Sequence, residues 1–218
     1  MFNLKKLFNK NKQIKKYSWK DVTISMYRKI LDLKKDEDYA FNLVAIFEGT
    51  TLENILNGDI TETLKCTAAL NEFISTNPRN LSVKSEYVLN GKTYRISRNP
   101  ADINTAQYFD FVNTPKELPA NLSRILAIFM IPENAESYST GYDIESAIYD
   151  IENYMNVEEA LGVCNFFTEL FRVYSKVALR KTRKALKAAR KAGLPEEQIQ
   201  EVQDRLEMSS RLIKYYKW

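Results

Sequence analysis

The sequence predicts a mainly α-helical protein, in which a helical body carries one small β-hairpin at about 84–97 and is followed by a C-terminal antiparallel helical hairpin. Three observations predict it. Only 6 Gly and 6 Pro in 218 residues favour long regular elements over a loop-rich β fold. Phe167, Leu170, Phe171, Tyr174, Val177 and Ala178 recur at the i, i+3, i+4, i+7 spacing of an amphipathic helix. Asn90-Gly91 stands between Tyr87-Val88-Leu89 and Tyr94-Arg95-Ile96, and Asn-Gly supplies the positive φ angles of a type I′ hairpin turn. Hydrophobic residues make up 44% of the chain, enough to bury a core and to argue against wholesale disorder. The expected organisation is a basic arm over 1–17, a helical body over 18–156 and the long hairpin over 157–218.

Element boundaries follow from capping chemistry. Residues 2–16 form a short basic amphipathic pattern with Phe2, Leu4, Leu7 and Phe8 on its weak apolar side. Thr23 or Ser25 can cap a helix through Met26, Ile30, Leu31 and Leu33. Asp36-Glu37-Asp38 suits the positive end of the next helix dipole, and Gly49 ends that helix. Thr51 starts a short helix ending near Gly58, and Asp59 can cap residues 60–75. After the hairpin, helical patterns resume at about 105–113, 120–131 and 143–155, with Asn104, Asn121 and Asp143 as caps.

The C-terminal third holds the longest pattern. Residues 157–192 contain no Pro and would span about 54 Å as a helix. Gly193-Leu194-Pro195 stops it and allows reversal. Ile199, Val202, Leu206, Ser209, Ile213 and Tyr216 then alternate in steps of three and four, a coiled-coil seam with one polar position. The seam is expected to bury against Tyr174, Val177, Ala178, Ala185 and Ala189, whose small members let two helices approach closely.

Several chemistries are excluded or disfavoured. The chain has no histidine, which removes the commonest general base and metal ligand and excludes a Ser-His-Asp or Cys-His site within it. Its glycines are isolated, with no phosphate-cradling loop. Cys66 and Cys164 are too few for a disulfide framework and sit in apolar patterns as core thiols. Asp36, Glu37 and Asp38 could attract a cation, but a helix start accounts for them. Glu158 and Glu159 serve the first turn of the long helix, and Asp143, Glu145, Asp150 and Glu152 read as a solvated helix face. No enzymatic activity, metal or cofactor is expected. No segment approaches the roughly 18 apolar residues of a membrane span, and the N-terminal segment lacks the apolar region of a secretory signal.

Charge is segregated. Residues 1–20 carry seven Lys and no acid, and residues 172–193 carry nine Lys or Arg and no acid, whereas residues 21–171 have a net charge of −11. The candidate partner-binding residues are Lys5, Lys6 and Lys10 on the arm, and Arg180, Lys181, Arg183, Lys184, Lys187, Arg190 and Lys191 on the long helix. Tyr215 and Trp218 either join them as an aromatic anchor of the kind enriched at interfaces or pack within the base of the hairpin. Three readings of the basic helix stand side by side. Glu196, Glu197, Glu201, Asp204 and Glu207 lie across the turn and can pair with it, although five acids cannot neutralise nine bases. An acidic protein partner is the second. Sequence-independent, salt-dependent nucleic-acid binding is the third, without base stacking because the face lacks interleaved aromatics.

Three stretches, Trp19-Lys20-Asp21-Val22-Thr23, Asn90-Gly91-Lys92-Thr93-Tyr94 and Thr105-Ala106-Gln107-Tyr108-Phe109-Asp110-Phe111, resemble small tail-assembly and tail-associated proteins of phages infecting Bacteroidetes, including the crAss-like phages. The Lys-, Asn-, Ile- and Tyr-rich usage is similar to that of such AT-rich genomes. The resemblance implies one of two roles. One is a helical structural protein of the tail, such as one bound to the muzzle, made in the host cytoplasm and present in the virion in several copies through particle symmetry. The other is an assembly chaperone absent from the mature virion. The long basic hairpin exceeds a compact chaperone pattern and favours the structural role, with other tail or muzzle proteins as partners.

Overall fold

The structure, a computed structural model, describes residues 16–79, 82–97, 99, 102–115, 117–193, 195, 196, 199, 200, 203 and 204. The expected basic helix over 2–16 and most of the C-terminal seam, from Val202 through Leu206 to Tyr216, lie outside the described residues. The protein is mainly helical with a small antiparallel sheet.

Side-chain caps start most helices. Thr23 accepts from the Met26 N–H and begins α1, Ile24–Asp32. The acidic Asp36-Glu37-Asp38 turn leads into α2, Tyr39–Glu48, which ends at Gly49 in the left-handed region at φ 63. Thr51 caps α3, Leu52–Leu56, and Asp59 caps α4, Ile60–Ile74. Beyond the hairpin, Asn104 and Gln107 form a reciprocal capping box at the start of α5, Thr105–Asn113. Asn121 occupies the N-cap position of α6, Leu122–Phe129, but makes no side-chain cap bond. Asp143 caps α7, Ile144–Tyr154, and Asn156 caps α8, Val157–Lys191.

The hairpin consists of β1, Glu86–Leu89, and β2, Lys92–Ile96. Asn90 and Gly91 turn it with φ 48 and 73, the two positive values a type I′ turn requires. Tyr87, Leu89, Tyr94 and Ile96 point into the core, while Val88 is left exposed. One expectation is corrected here. Met130 and Ile131 were expected to finish the helix of 120–131, but with Pro132 they form β3, Met130–Pro132, pairing antiparallel with β2 and making the hairpin a three-stranded sheet. Pro132 sits on the outer strand, where a missing N–H is tolerated.

Two hydrophobic clusters result. The larger joins the sheet to α5, α6, α7 and α8. Its centre is aromatic, with Phe129 stacked on Phe167 at 4.1 Å and Phe111 on Phe171 at 4.7 Å between ring centroids. The smaller gathers Trp19, Val22, Ile30, Leu43, Val44 and Leu70 around Val157, and Trp19 Nε1 donates to Thr76 Oγ1 at 3.0 Å. The first turns of α8 serve both, since Val157 lies in the smaller, Ala160 in the larger, and Leu161 packs against each. A short backbone bridge fixes the junction, with Val157 N donating to Val22 O at 2.8 Å and Ile24 N to Met155 O at 3.3 Å. Residues assigned from the sequence to the C-terminal hairpin therefore build the core of the body.

Phe167→Ala should remove a fully buried ring and cost about 3–5 kcal/mol. In a Trp218→Phe background, urea unfolding followed by circular dichroism and by Trp19 fluorescence should shift to lower denaturant together. Separate transitions would show that the two clusters unfold independently.

Candidate protein-binding surface

The second half of α8 leaves the core. Phe171 is buried, and no described side chain from Arg172 to Ala188 is. Lys176, Arg180, Lys181, Arg183, Lys184, Lys187, Arg190 and Lys191 are all exposed. Lys176, Arg180, Arg183, Lys187 and Arg190 follow steps of four and three, so they fall on one stripe about 21 Å long. Lys184 and Lys191 flank it, and Lys181 lies further round. None of these eight is ion-paired to another described residue. Arg172, at the start of the run, pairs instead with Glu169 at 2.6 Å.

Ala189 faces away from the stripe and is buried, as is Ile199 after the turn. Ala185 and Val177 depart from the expected seam, for both are exposed, Val177 at 43%. Among the acids proposed to neutralise the helix, Glu196 is exposed and Asp204 accepts from Gln200 Nε2 at 2.9 Å. Glu197, Glu201 and Glu207 lie outside the described residues, as do Lys5, Lys6, Lys10, Tyr215 and Trp218. The seven named cations of α8 are thus brought together on one projecting segment, and the arm and aromatic anchor are not placed.

Sequence reasoning missed the apolar part of this surface. Val173, exposed at 51%, sits one turn before Val177 and leads into the cations. Val177 belongs to the apolar series expected to bury, whereas Val173 falls outside that series, on the side of the cations.

The acidic residues of α7 require a correction. Asp143 and Glu145 are exposed as expected of a solvated face and Glu152 is half-buried, but Asp150 is only 1% exposed. Its carboxylate accepts from Lys92 Nζ at 2.7 Å, Tyr94 OH at 2.6 Å and Asn90 Nδ2 at 2.8 Å, tying the hairpin to α7. Burial opposes ionisation of Asp150, but the hydrogen bonds from Lys92, Tyr94 and Asn90 and the Lys92 charge outweigh it and hold the carboxyl below its usual range. Burial, followed by the bond to Asp150, pushes the Tyr94 hydroxyl far up. Glu152 pairs with Arg28, Glu145 with Arg124, and Asp143 caps the helix. Glu158 and Glu159 do stand in the first turn of α8, but they also reach outward: Glu158 accepts from the Arg79 N–H at 2.9 Å and Glu159 pairs with Lys84.

Asp36, Glu37 and Asp38 are exposed, and Asp36 accepts from the Asp38 N–H at 3.2 Å, a local turn contact. Among the described residues no group of three or more acids or cysteines is arranged to hold a metal ion, and no helix is long and apolar enough to cross a membrane. Cys164 is buried and Cys66 half-buried, both as free thiols. A cleft of about 530 Å³ between α5, α6 and the loop before α7 has its polar lining engaged internally, with Tyr138 OH donating to Asp110 at 2.6 Å and Arg124 to Glu145 at 2.9 Å. Comparison of the chain with protein-family models, curated proteins and solved structures gives no match.

The Asp150 cluster generates a pH dependence. A carboxyl with a lowered folded pKa contributes stability above its unfolded pKa, about 3.9, and that contribution is lost as pH falls through the folded value. Asp150→Asn should lower stability at pH 7 by about 1–3 kcal/mol by weakening the acceptor of three buried bonds. It should also lose less than the parent between neutral and acid pH. Urea midpoints measured across that range check both, and parallel curves would show that Asp150 carries no such linkage.

Proposed function

We propose that the chain is a non-enzymatic structural protein of a bacteriophage tail, a virion component that binds other tail or muzzle proteins in several copies. The observation that carries the reading is the exposed row of cations on α8, held on a continuous helix and not ion-paired to any other described residue. Desolvated charge needs a complementary partner, and an exposed array offers long-range attraction and orientation to one. The bacteriophage setting comes from the resemblance of three sequence stretches. In the fold these are core-forming: Trp19 is buried and Thr23 caps α1, Asn90-Gly91 turns the hairpin beneath buried Tyr94, and Gln107 and Phe111 are buried on α5. The arm, carrying Lys5, Lys6 and Lys10, and the terminal Tyr215 and Trp218 would add contacts to neighbours.

Quantitative mass spectrometry of purified particles, set beside infected-cell lysate, tests the reading. The chain should be enriched with the tail proteins at a fixed copy number. Abundance in the lysate with absence from particles would reject the structural role and favour an assembly chaperone.

A further inference from the structure

The basic run on α8 has a counterpart in the same chain. Residues 36–64 contain seven acids and no Lys or Arg. All seven, Asp36, Glu37, Asp38, Glu48, Glu53, Asp59 and Glu62, are exposed. Within this stretch Leu56, Ile60 and Leu64 are exposed at 56%, 59% and 54%, spaced four residues apart across the α3–α4 junction. The 36–64 stretch therefore exposes acids and large apolar side chains close together in sequence, whereas the α8 surface is basic and begins at the exposed pair Val173 and Val177.

The two surfaces are kept apart within one molecule. Leu43, Val44 and Leu70, from α2 and α4, pack in the cluster that holds Val157 at the start of α8. The cationic stripe begins at Lys176 and ends at Arg190, which places it about 28–50 Å further along a continuous helix. A copy cannot fold its own stripe back without breaking α8, whereas a second copy can present its acidic surface to it. A phosphate backbone is less well matched, since it has no use for the exposed valines and would be repelled by a body of net charge −11.

We propose that the chain associates with itself head to tail, the α8 face of Val173, Val177, Arg183, Lys184 and Lys187 docking on the α3–α4 face of a second copy. This rests on the reading of α8 as a protein-binding surface and names its partner. Such a contact joins two different faces, so it propagates into a closed ring or an open chain instead of stopping at a symmetric dimer.

Sedimentation velocity on the full-length purified chain tests this with two variants that each lose one face, both checked for folding by circular dichroism. Arg183→Glu/Lys184→Glu/Lys187→Glu removes the basic face, and Glu53→Lys/Leu64→Lys removes the acidic one. The parent should show concentration-dependent association at about 0.1 M salt that weakens sharply at about 1 M, where the Debye length falls from about 10 Å to about 3 Å. Each variant alone should sediment as a monomer, and an equimolar mixture of the two should form a dimer and nothing larger. A parent that stays monomeric overturns the proposal, as does a mixture that fails to pair. A monomeric parent that retards a DNA duplex would assign the stripe to phosphate instead. Loss of self-association with binding to tail proteins retained would leave the proposed function standing and remove only this partner.

Discussion

The structure depends on the first four turns of α8. Their side chains must satisfy two hydrophobic clusters at once, Val157 in one, Ala160, Val163, Cys164, Phe167 and Phe171 in the other, with Leu161 between. The small residues on this stretch, Ala160 and Gly162, are both buried. The stacking of Phe167 on Phe129 and of Phe171 on Phe111 then sets the direction of the helix against α5 and α6. Because a helix is stiff along its axis, that direction also decides where the cations beyond Phe171 are held.

The second half of α8 has to remain helical with little help from packing. Like charges three and four residues apart destabilise an isolated helix by a few tenths of a kcal/mol per pair, and the stripe contains several such pairs. Three features offset this. The helix is already nucleated by its buried half, so each further residue adds only propagation. Its intervening residues, Leu179, Ala185, Leu186, Ala188 and Ala189, are strong helix formers. Arg190 and Lys191 lie in the last turn, where positive charge complements the dipole. Charge segregation is therefore compatible with the fold and leaves a dense positive surface in solvent.

Much of this fold was legible because its signals are local. Thr23, Thr51, Asp59, Asn104 and Asp143 each bond the backbone two or three residues ahead, a geometry that sequence spacing alone specifies. Asn90-Gly91 likewise encodes its own turn. The misreadings are tertiary. Met130 and Ile131 continue the apolar pattern of α6, and only the exposed edge of β2 turns them into a strand. Asp150 has the local look of a surface acid, and becomes a buried acceptor because Lys92 and Tyr94 arrive from a hairpin some 60 residues earlier, the Lys92 bond spanning 58 residues. For the candidate site, the row of cations was readable as a charge run. Its apolar lead-in was not, because Val177 follows the periodicity of a buried face, Val173 stands alone outside that series, and both are exposed in the structure.

The placement of the cations requires α8 to be one unbroken helix from the core to the cationic stripe. Pulsed dipolar electron paramagnetic resonance measures this directly, with spin labels at Asn165→Cys and Lys187→Cys in a Cys66→Ser/Cys164→Ala background. Both labelled positions are exposed, and their backbone separation in a continuous helix is about 33 Å. A single narrow distance distribution centred near that value is the predicted result. A broad distribution, or one displaced well below it, would show that the helix breaks after the core and would contradict the account.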